Sequence, residues 1–411
     1  MRELRIFSTL IGSGLLAQGL MLISSLIFSR LYPPISFGEL GYYSGFSSLV
    51  AVVAGLRFDY IAFSQPLEQR ATSFATALVC ATALHVLILV ALLSAHMADL
   101  APSKTSYWLL VFSVATSTFY LATQFLIATA EYKQFARARM AQAILQLLLG
   151  LVFYYIDIRI GLLVCYSISQ LLVGTLLFHR YGRPVLQKRY AQIARNWRAS
   201  SSNAAHNTFL ILLLYATPFA PVLLGIAIYS AEEVGAYFLF SSAFAAPFAV
   251  FRRSAINLLN GEVASPHKAL GIARAVKKFV PGGTGITVAI ALLSFLIFGR
   301  TGQEATLLIF GKAWESYFPL LLPVFLFHFA DALLQPFSTL LPLWGQQSLA
   351  MKFEVLRFLL VYAGLPAVVW LTQTSFYYSL ISFYAIMIAI YGMIFVTICR
   401  LTLNARTKPS S

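Results

Sequence analysis

Charge is scarce in this sequence. Only 10% of its 411 residues are charged, and 14 acidic residues face 29 Lys and Arg, a formal net charge of +15. A soluble domain ordinarily carries about a quarter charged residues, so a water-exposed surface of the usual makeup is excluded. Cysteine is as sparse. Cys80, Cys165 and Cys399 each lie inside an apolar run, which leaves no disulfide framework and no metal-ligand spacing. The longest polar stretch, His179 to Asn203, is too short for a domain, so separate soluble domains have almost nowhere to fit. Neither a Walker loop, a G-x-S-x-G nor an H-E-x-x-H occurs. ATP-driven work by this chain alone and hydrolytic catalysis therefore lack a signature, and no catalytic residue or metal site is expected.

What fills the chain is apolar: 59% hydrophobic and 15% aromatic residues, with a mean hydropathy of +0.79. A transmembrane helix needs roughly 20 such residues. The runs predict an all-α polytopic membrane protein of about 12 helices, at residues 6–29, 38–62, 73–95, 106–130, 140–157, 160–179, 206–229, 233–256, 278–299, 317–341, 353–373 and 376–399. The first run follows Arg2 and Arg5 but is too long for a signal peptide and lacks a cleavage site, so it reads as a retained helix. Tyr32-Pro33-Pro34 ends it. Asp157 and Arg159 part the fifth from the sixth.

Orientation follows from the basic residues, because cytoplasmic loops hold Lys and Arg. With the N-terminus inside, 24 of the 29 fall on inner segments, leaving Arg30, Lys104, Arg159, Arg300 and Lys312 outside. Both termini are then cytoplasmic. Basic loops facing anionic headgroups account for the charge without nucleic acid. The polar stretch from His179 to Asn203 divides the chain into an N-terminal six-helix bundle at 1–179, a basic cytoplasmic linker at 180–205 and a C-terminal six-helix bundle at 206–411.

An internal repeat supports that division. Ser36 to Ala51 matches Ser230 to Ala245 at 8 of 16 positions, at an offset of 194 residues, and the matches include Ser, Glu, Gly, Tyr and a paired Ser. Six helices per half would relate the bundles by a pseudo-two-fold along the membrane normal, with cargo between them. Ser36/Glu39 and Ser230/Glu233 also have the spacing of capping boxes, so these glutamates are either caps or substrate and proton groups. Gly12, Gly14 and Gly19 in the first span and Pro218 and Pro221 in the seventh mark those two helices as candidate gates, or as ordinary close-packed ones.

Ionisable residues inside the membrane are few, and each is a candidate by default. His328 and Asp331, three apart on the tenth span, form either a proton or ion-coupling site or a polar pair between helices; Asp59 joins them as a coupling candidate. Arg57 on the second span and Arg252 and Arg253 on the eighth lie at comparable depths. They either snorkel to the headgroups or form a cation ring suited to a pyrophosphate. Arg30 is a release residue or an interfacial anchor. His85 reads as a satisfied interior histidine, and Glu354 with Arg357 as an ion pair.

These residues carry a resemblance. Phe28-Ser29-Arg30-Leu31-Tyr32-Pro33-Pro34-Ile35-Ser36-Phe37-Gly38-Glu39, Gly55-Leu56-Arg57-Phe58-Asp59, Val234-Gly235-Ala236-Tyr237, Phe310-Gly311-Lys312-Ala313-Trp314, and Pro336 followed by Trp344-Gly345-Gln346 resemble elements of the polysaccharide-biosynthesis flippases. Those are the O-antigen (Wzx-type) transporters of the multidrug/oligosaccharidyl-lipid/polysaccharide (MOP) superfamily. One extra residue separates Pro33 from the spacing typical of that family. The resemblance implies a lipopolysaccharide-pathway flippase that turns an undecaprenyl-pyrophosphate-linked oligosaccharide, an O-antigen or exopolysaccharide unit, to the periplasmic leaflet. It implies Arg30, Arg57, Arg252 and Arg253 as pyrophosphate and sugar contacts, no cofactor beyond a coupling ion (H+ or Na+), and polymerase and chain-length regulator proteins as partners. The alternative is a cation-coupled drug antiporter of the same superfamily, with Asp331 as its carboxylate.

Overall fold

Hydrocarbon offers a backbone no hydrogen-bond partner, so a chain this apolar must satisfy its own N–H and C=O groups, and helices do so locally. The computed structural model describes residues 2–98, 104–263, 302–338, 340–343 and 346–407; helix dominates them and no strand occurs among them. Eight helices of the described residues are long and apolar enough to cross a membrane, and a shorter apolar helix spans Leu16–Leu31. The ninth expected span, 278–299, lies outside the described residues, as do Trp344 and Gly345.

The chain divides into two units, Met1–Tyr32 with Ser36–Phe219, and Pro33–Ile35 with Ala220–Ser411. The first contains α1 (Arg2–Leu31), α2 (Pro34–Ala54), α3 (Phe58–Ser64), α4 (Leu67–Met97), α5 (Lys104–Ala128), α6 (Tyr132–Tyr155), α7 (Gly161–Tyr181), α8 (Arg183–Leu186) and most of α9 (Tyr190–Leu223). Here α7 packs on α5 and α6, and α6 packs on α1. The Tyr32 hydroxyl ties α1 to α6 by donating to the Gly150 carbonyl at 2.7 Å. Asp157, at φ 53°, makes the left-handed turn that separates α6 from α7, where the sequence places the boundary.

Two departures from expectation shape this unit. The second span is not one helix over 38–62: Leu56 (φ 44°) and Arg57 (φ 58°) are both left-handed, which ends α2 and begins α3. Consecutive left-handed non-glycine residues cost roughly 1–2 kcal/mol each. Gly55 lets α4 approach the break closely, since a Cβ there would stand 3.2 Å from the Ala77 Cβ. The second departure is at 180–205. In place of a linker there is the short α8 and then α9, which runs unbroken from Tyr190 into the seventh span. Ala, Arg and Gln favour helix here, and no Gly or Pro intervenes before Pro218. The polar start of α9 is docked: Asn196 donates to Ser73 at 3.2 Å and to Thr76 at 3.0 Å, and Trp197 stacks on Phe58 at 5.5 Å.

The second unit contains α10 (Gly225–Ile228), α11 (Ala231–Val263), α12 (Gly302–Phe310), a 3₁₀ stretch (Lys312–Leu320), α13 (Leu321–Ser338), α14 (Leu340–Leu343), α15 (Gln347–Leu359), α16 (Leu365–Thr372) and α17 (Phe376–Thr407). α13 packs between α11 and α17, and α15 packs on α17. A π turn, Leu360–Gly364, joins α15 to α16 within the eleventh span. Pro366 explains it: lacking an N–H, proline cannot continue the α ladder, and the register widens beside it.

The capping boxes come out differently in the two halves. Before α11 the box is formed, with the Glu233 amide donating to the Ser230 hydroxyl at 3.2 Å and the Ser230 amide to the Glu233 carboxylate at 3.3 Å. In the first half α2 already starts at Pro34, whose fixed φ suits a first helical position, so Ser36 and Glu39 sit inside the helix.

Gly174 shows how tightly the first unit is packed, because a Cβ on it would stand 2.9 Å from the Phe119 backbone nitrogen on α5. Gly174→Leu is expected to destabilise the purified protein by roughly 1–3 kcal/mol, the usual cost of overpacking, seen as a lower melting temperature in detergent. Gly19→Leu serves as the control, since nothing lies within 4 Å of a Cβ at Gly19; equal melting of the two variants would count against the α5–α7 contact.

Candidate functional site

Each unit holds a cluster built on one Arg–Asp pair, buried on both sides in the first unit and with a half-exposed arginine in the second. In the first unit the left-handed break turns Arg57 and Asp59 toward α5. The Arg57 guanidinium donates to the Tyr120 hydroxyl at 2.9 Å, and that hydroxyl donates to Asp59 Oδ2 at 2.9 Å. Arg57 also pairs with Asp59 at 3.5 Å and lies 4.9 Å over the Tyr60 ring. Both charged residues are buried.

In the second unit Arg252 of α11 donates to Asp331 Oδ2 of α13 at 2.7 Å. The Tyr391 hydroxyl of α17 lies within hydrogen-bonding reach of Asp331 and accepts from Arg357 of α15 at 3.3 Å. Arg357 in turn pairs with Glu354 one turn away. On the same face of α13, His328 shares a 2.7 Å hydrogen bond with Ser241 of α11, and Tyr237 lies beside Ser241 and Tyr384. Four helices thus contribute to one polar network inside an apolar bundle. A charge moved out of water is tolerated when it is paired and hydrogen-bonded; Asp331 meets both conditions through Arg252, and Glu354 is held by its ion pair with Arg357.

The sequence candidates are therefore placed as follows. Arg57 with Asp59, and Arg252 with Asp331, are partners, so cations read as substrate contacts are held by the carboxylates read as coupling groups. His328 and Asp331 share a face but engage different partners. Arg30 sits exposed in the last turn of α1, and the 21 residues of α2 put it roughly 30 Å from Arg57. The Arg253 side chain lies outside the described residues. His85 is bonded within its own helix, to the Ala81 carbonyl at 2.6 Å, with Ser117 at 3.4 Å, in keeping with an interior structural histidine. Glu354 and Arg357 form the ion pair read from their spacing.

Sequence reasoning missed the tyrosines. Tyr120 and Tyr391 each bridge an Arg and an acid, yet nothing marks them among 21 tyrosines. Ser241 was within reach of inference, as one of the paired serines kept in the repeat. Among the described residues no group of three or more His, Cys, Asp or Glu is arranged to hold a metal.

No protein-family model matches this chain, and no curated protein matches it in sequence. Solved structures do. One is the inward-facing conformation of a multidrug resistance MATE family transporter of the MOP superfamily, at a TM-score of 0.71 and 13% identity, covering 96% of both chains. A MATE in complex with MaL6 gives 0.62 at 11% identity, covering 98% of this chain and 97% of that one. A MOP superfamily transporter from Pyrococcus furiosus, described as having a binding pocket of reverse polarity that suggests a different function, gives 0.52 at 12% identity, covering 98% and 95%. At such identities the likeness establishes the fold: a MATE-like multi-pass membrane protein of 12 transmembrane helices in two bundles. It shows the fold alone and does not reach the flippase family of the sequence motifs.

If Arg252 and Asp331 stabilise the second unit chiefly as a pair, Arg252→Ala should lose roughly 1–3 kcal/mol, the cost of leaving the buried Asp331 orphaned, and Asp331→Ala should lose less, because the half-exposed Arg252 it leaves behind is screened by solvent. The double variant should lose less than the two combined. Thermal unfolding in detergent reads this cycle, and strict additivity would show the pair to be uncoupled.

Proposed function

We propose that this chain is a non-enzymatic alternating-access exporter of the MOP superfamily, and that its cargo is an anionic lipid-linked oligosaccharide moved from the cytoplasmic to the periplasmic leaflet of a bacterial inner membrane. The MATE-like fold supports the first half of this reading. The second half rests on one observation: the three carboxylates buried among the described residues, Asp59, Asp331 and Glu354, are each paired with an arginine. A carboxylate neutralised in this way offers little to a cationic drug. An anionic pyrophosphate, by contrast, can exchange for Asp59 or Asp331 on Arg57 or Arg252, and guanidinium forks suit phosphate oxygens. The displaced Asp then becomes free to take a proton or Na+, which would couple release to an ion. The flippase-like motifs point the same way and bring a lipid-linked glycan, polymerase and chain-length regulator as partners.

A second reading has its own support. The transporters that share the fold include multidrug MATE proteins, and their names favour the cation-coupled drug antiporter over the flippase. In that reading Asp331 leaves Arg252 to hold a cationic amphiphile.

The discriminating measurement is the sidedness of lipid-linked glycan in cells lacking the gene, read with a periplasmic glycan-modifying probe and total lipid-linked glycan. Accumulation beyond the probe's reach, relieved by the intact gene, is the expected result. Arg252→Lys keeps a positive charge beside Asp331 but loses the fork, and should restore access roughly tenfold more slowly. Normal glycan access with reduced tolerance to cationic drugs would overturn the flippase reading in favour of the antiporter.

A further inference from the structure

Outside the two clusters, the first unit has a groove of about 590 Å³ between α4, the start of α9 and the break after α2. One wall is an apolar stripe of α4 that includes Val79, Ala83 and Leu87; the floor includes Leu56. The opposite wall is the first two turns of α9, which bring Tyr190, Trp197 and Arg198. Asn196 donates to Thr76 at 3.0 Å, which sets Trp197 and Arg198 of that wall, with the apolar Ile193 and Ala194 beside them, at the Thr76 end of the α4 stripe, and the apolar lining from Val79 to Leu87 extends away from it. Along α4 the lining runs from Thr76 to Leu87, roughly 16 Å at the helical rise. That is about half the ~30 Å thickness of the hydrocarbon core, the depth of one leaflet.

The polar end has the makeup of a headgroup site. Tyr and Trp prefer the membrane interface, and Trp197 is held in place by its stack on Phe58. Arg198 belongs to a segment that also carries Lys188, Arg189 and Arg195, and no acidic residue occurs between Asp157 and Glu232. An unopposed basic segment at an interface attracts anionic lipid.

We propose that this groove is a binding site for an anionic membrane phospholipid, with its phosphate at Arg198, its headgroup beside Tyr190 and Trp197, and one acyl chain along α4. The site is independent of the cargo and rests only on the chain's spanning a membrane. Its occupant touches Leu56, whose neighbour is Arg57, and braces Trp197, which packs on the residue before Asp59. Anionic lipid would thus steady the strained turn that presents the Arg57–Asp59 pair.

The test uses the full-length protein in phosphatidylcholine vesicles into which chain-brominated phosphatidylglycerol or chain-brominated phosphatidylcholine is titrated. Trp197 emission is isolated by difference from Trp197→Phe. The expected result is half-maximal quenching at a roughly fivefold lower fraction of brominated phosphatidylglycerol, the preference one basic side chain gives near a surface. Arg198→Gln should abolish that preference, Arg198→Lys should retain it, and Ala83→Phe, which fills the groove, should weaken quenching by both lipids. Equal quenching by the two headgroups in the unaltered protein, or a preference that survives Arg198→Gln, would overturn the proposal. So would displacement of brominated phosphatidylglycerol by an equal fraction of a short polyprenyl phosphate but not by unbrominated phosphatidylglycerol, which would assign the groove to a prenyl lipid.

Discussion

A buried arginine in a medium without water needs an anion and hydrogen-bond acceptors supplied by the chain itself. In the first unit that need accounts for the irregular backbone. A continuous helix over 38–62 would present Arg57 and Asp59 on different faces, two residues apart. The two left-handed residues at Leu56 and Arg57 break the helix so that both side chains reach Tyr120. The strain of that turn is offset by the pair, by the Tyr60 ring under the guanidinium, and by the docking of Trp197 on Phe58. The start of α9 is helical and anchored because it completes this corner.

The second unit meets the same need by a different route. Its Arg and Asp come from separate helices, α11 and α13, and the phenol comes from a third, α17. The repeat does not supply this parallel: the 194-residue offset carries Arg57 to Phe251 and Asp59 to Arg253, not to Arg252 and Asp331. What the repeat keeps is a stretch of sequence that includes the paired serines, one of which holds His328; the helix starts themselves differ between the halves. The Arg–Asp–Tyr grouping in each unit is therefore better understood as a common solution to charge burial than as a duplicated site.

These features explain what could be read from sequence. Most spans of the described residues were legible because apolar length is dictated by membrane thickness, and so were the turn at Asp157 and the cap at Ser230, where local chemistry decides. Three things were not. The break at Leu56–Arg57 depends on a tertiary partner, Tyr120. The helical start of α9 reads as linker by polarity, yet it is fixed by Asn196 on Ser73 and Thr76. The roles of Tyr120 and Tyr391 come from helix packing, which no spacing encodes. The candidate charges themselves were legible, since ionisable residues in apolar runs stand out; their mutual pairing was not, because Arg252 and Asp331 lie 79 positions apart.

Pairing also constrains how such a protein can act on cargo. A lone intramembrane charge would bind an opposite charge tightly and release it slowly, because the empty site would be left desolvated. In the proposed exchange a resident Asp on each Arg would remove that asymmetry: as cargo left, the carboxylate would return and the site would never be bare. The cost of each exchange is then the difference between two ion pairs, not the burial of one ion, and a modest ion gradient or conformational change can tip it. Tyr120 fits this scheme: it bridges Arg57 and Asp59, so it could hold the carboxylate while the guanidinium is engaged elsewhere, and the site could change partners without exposing an uncompensated charge to lipid.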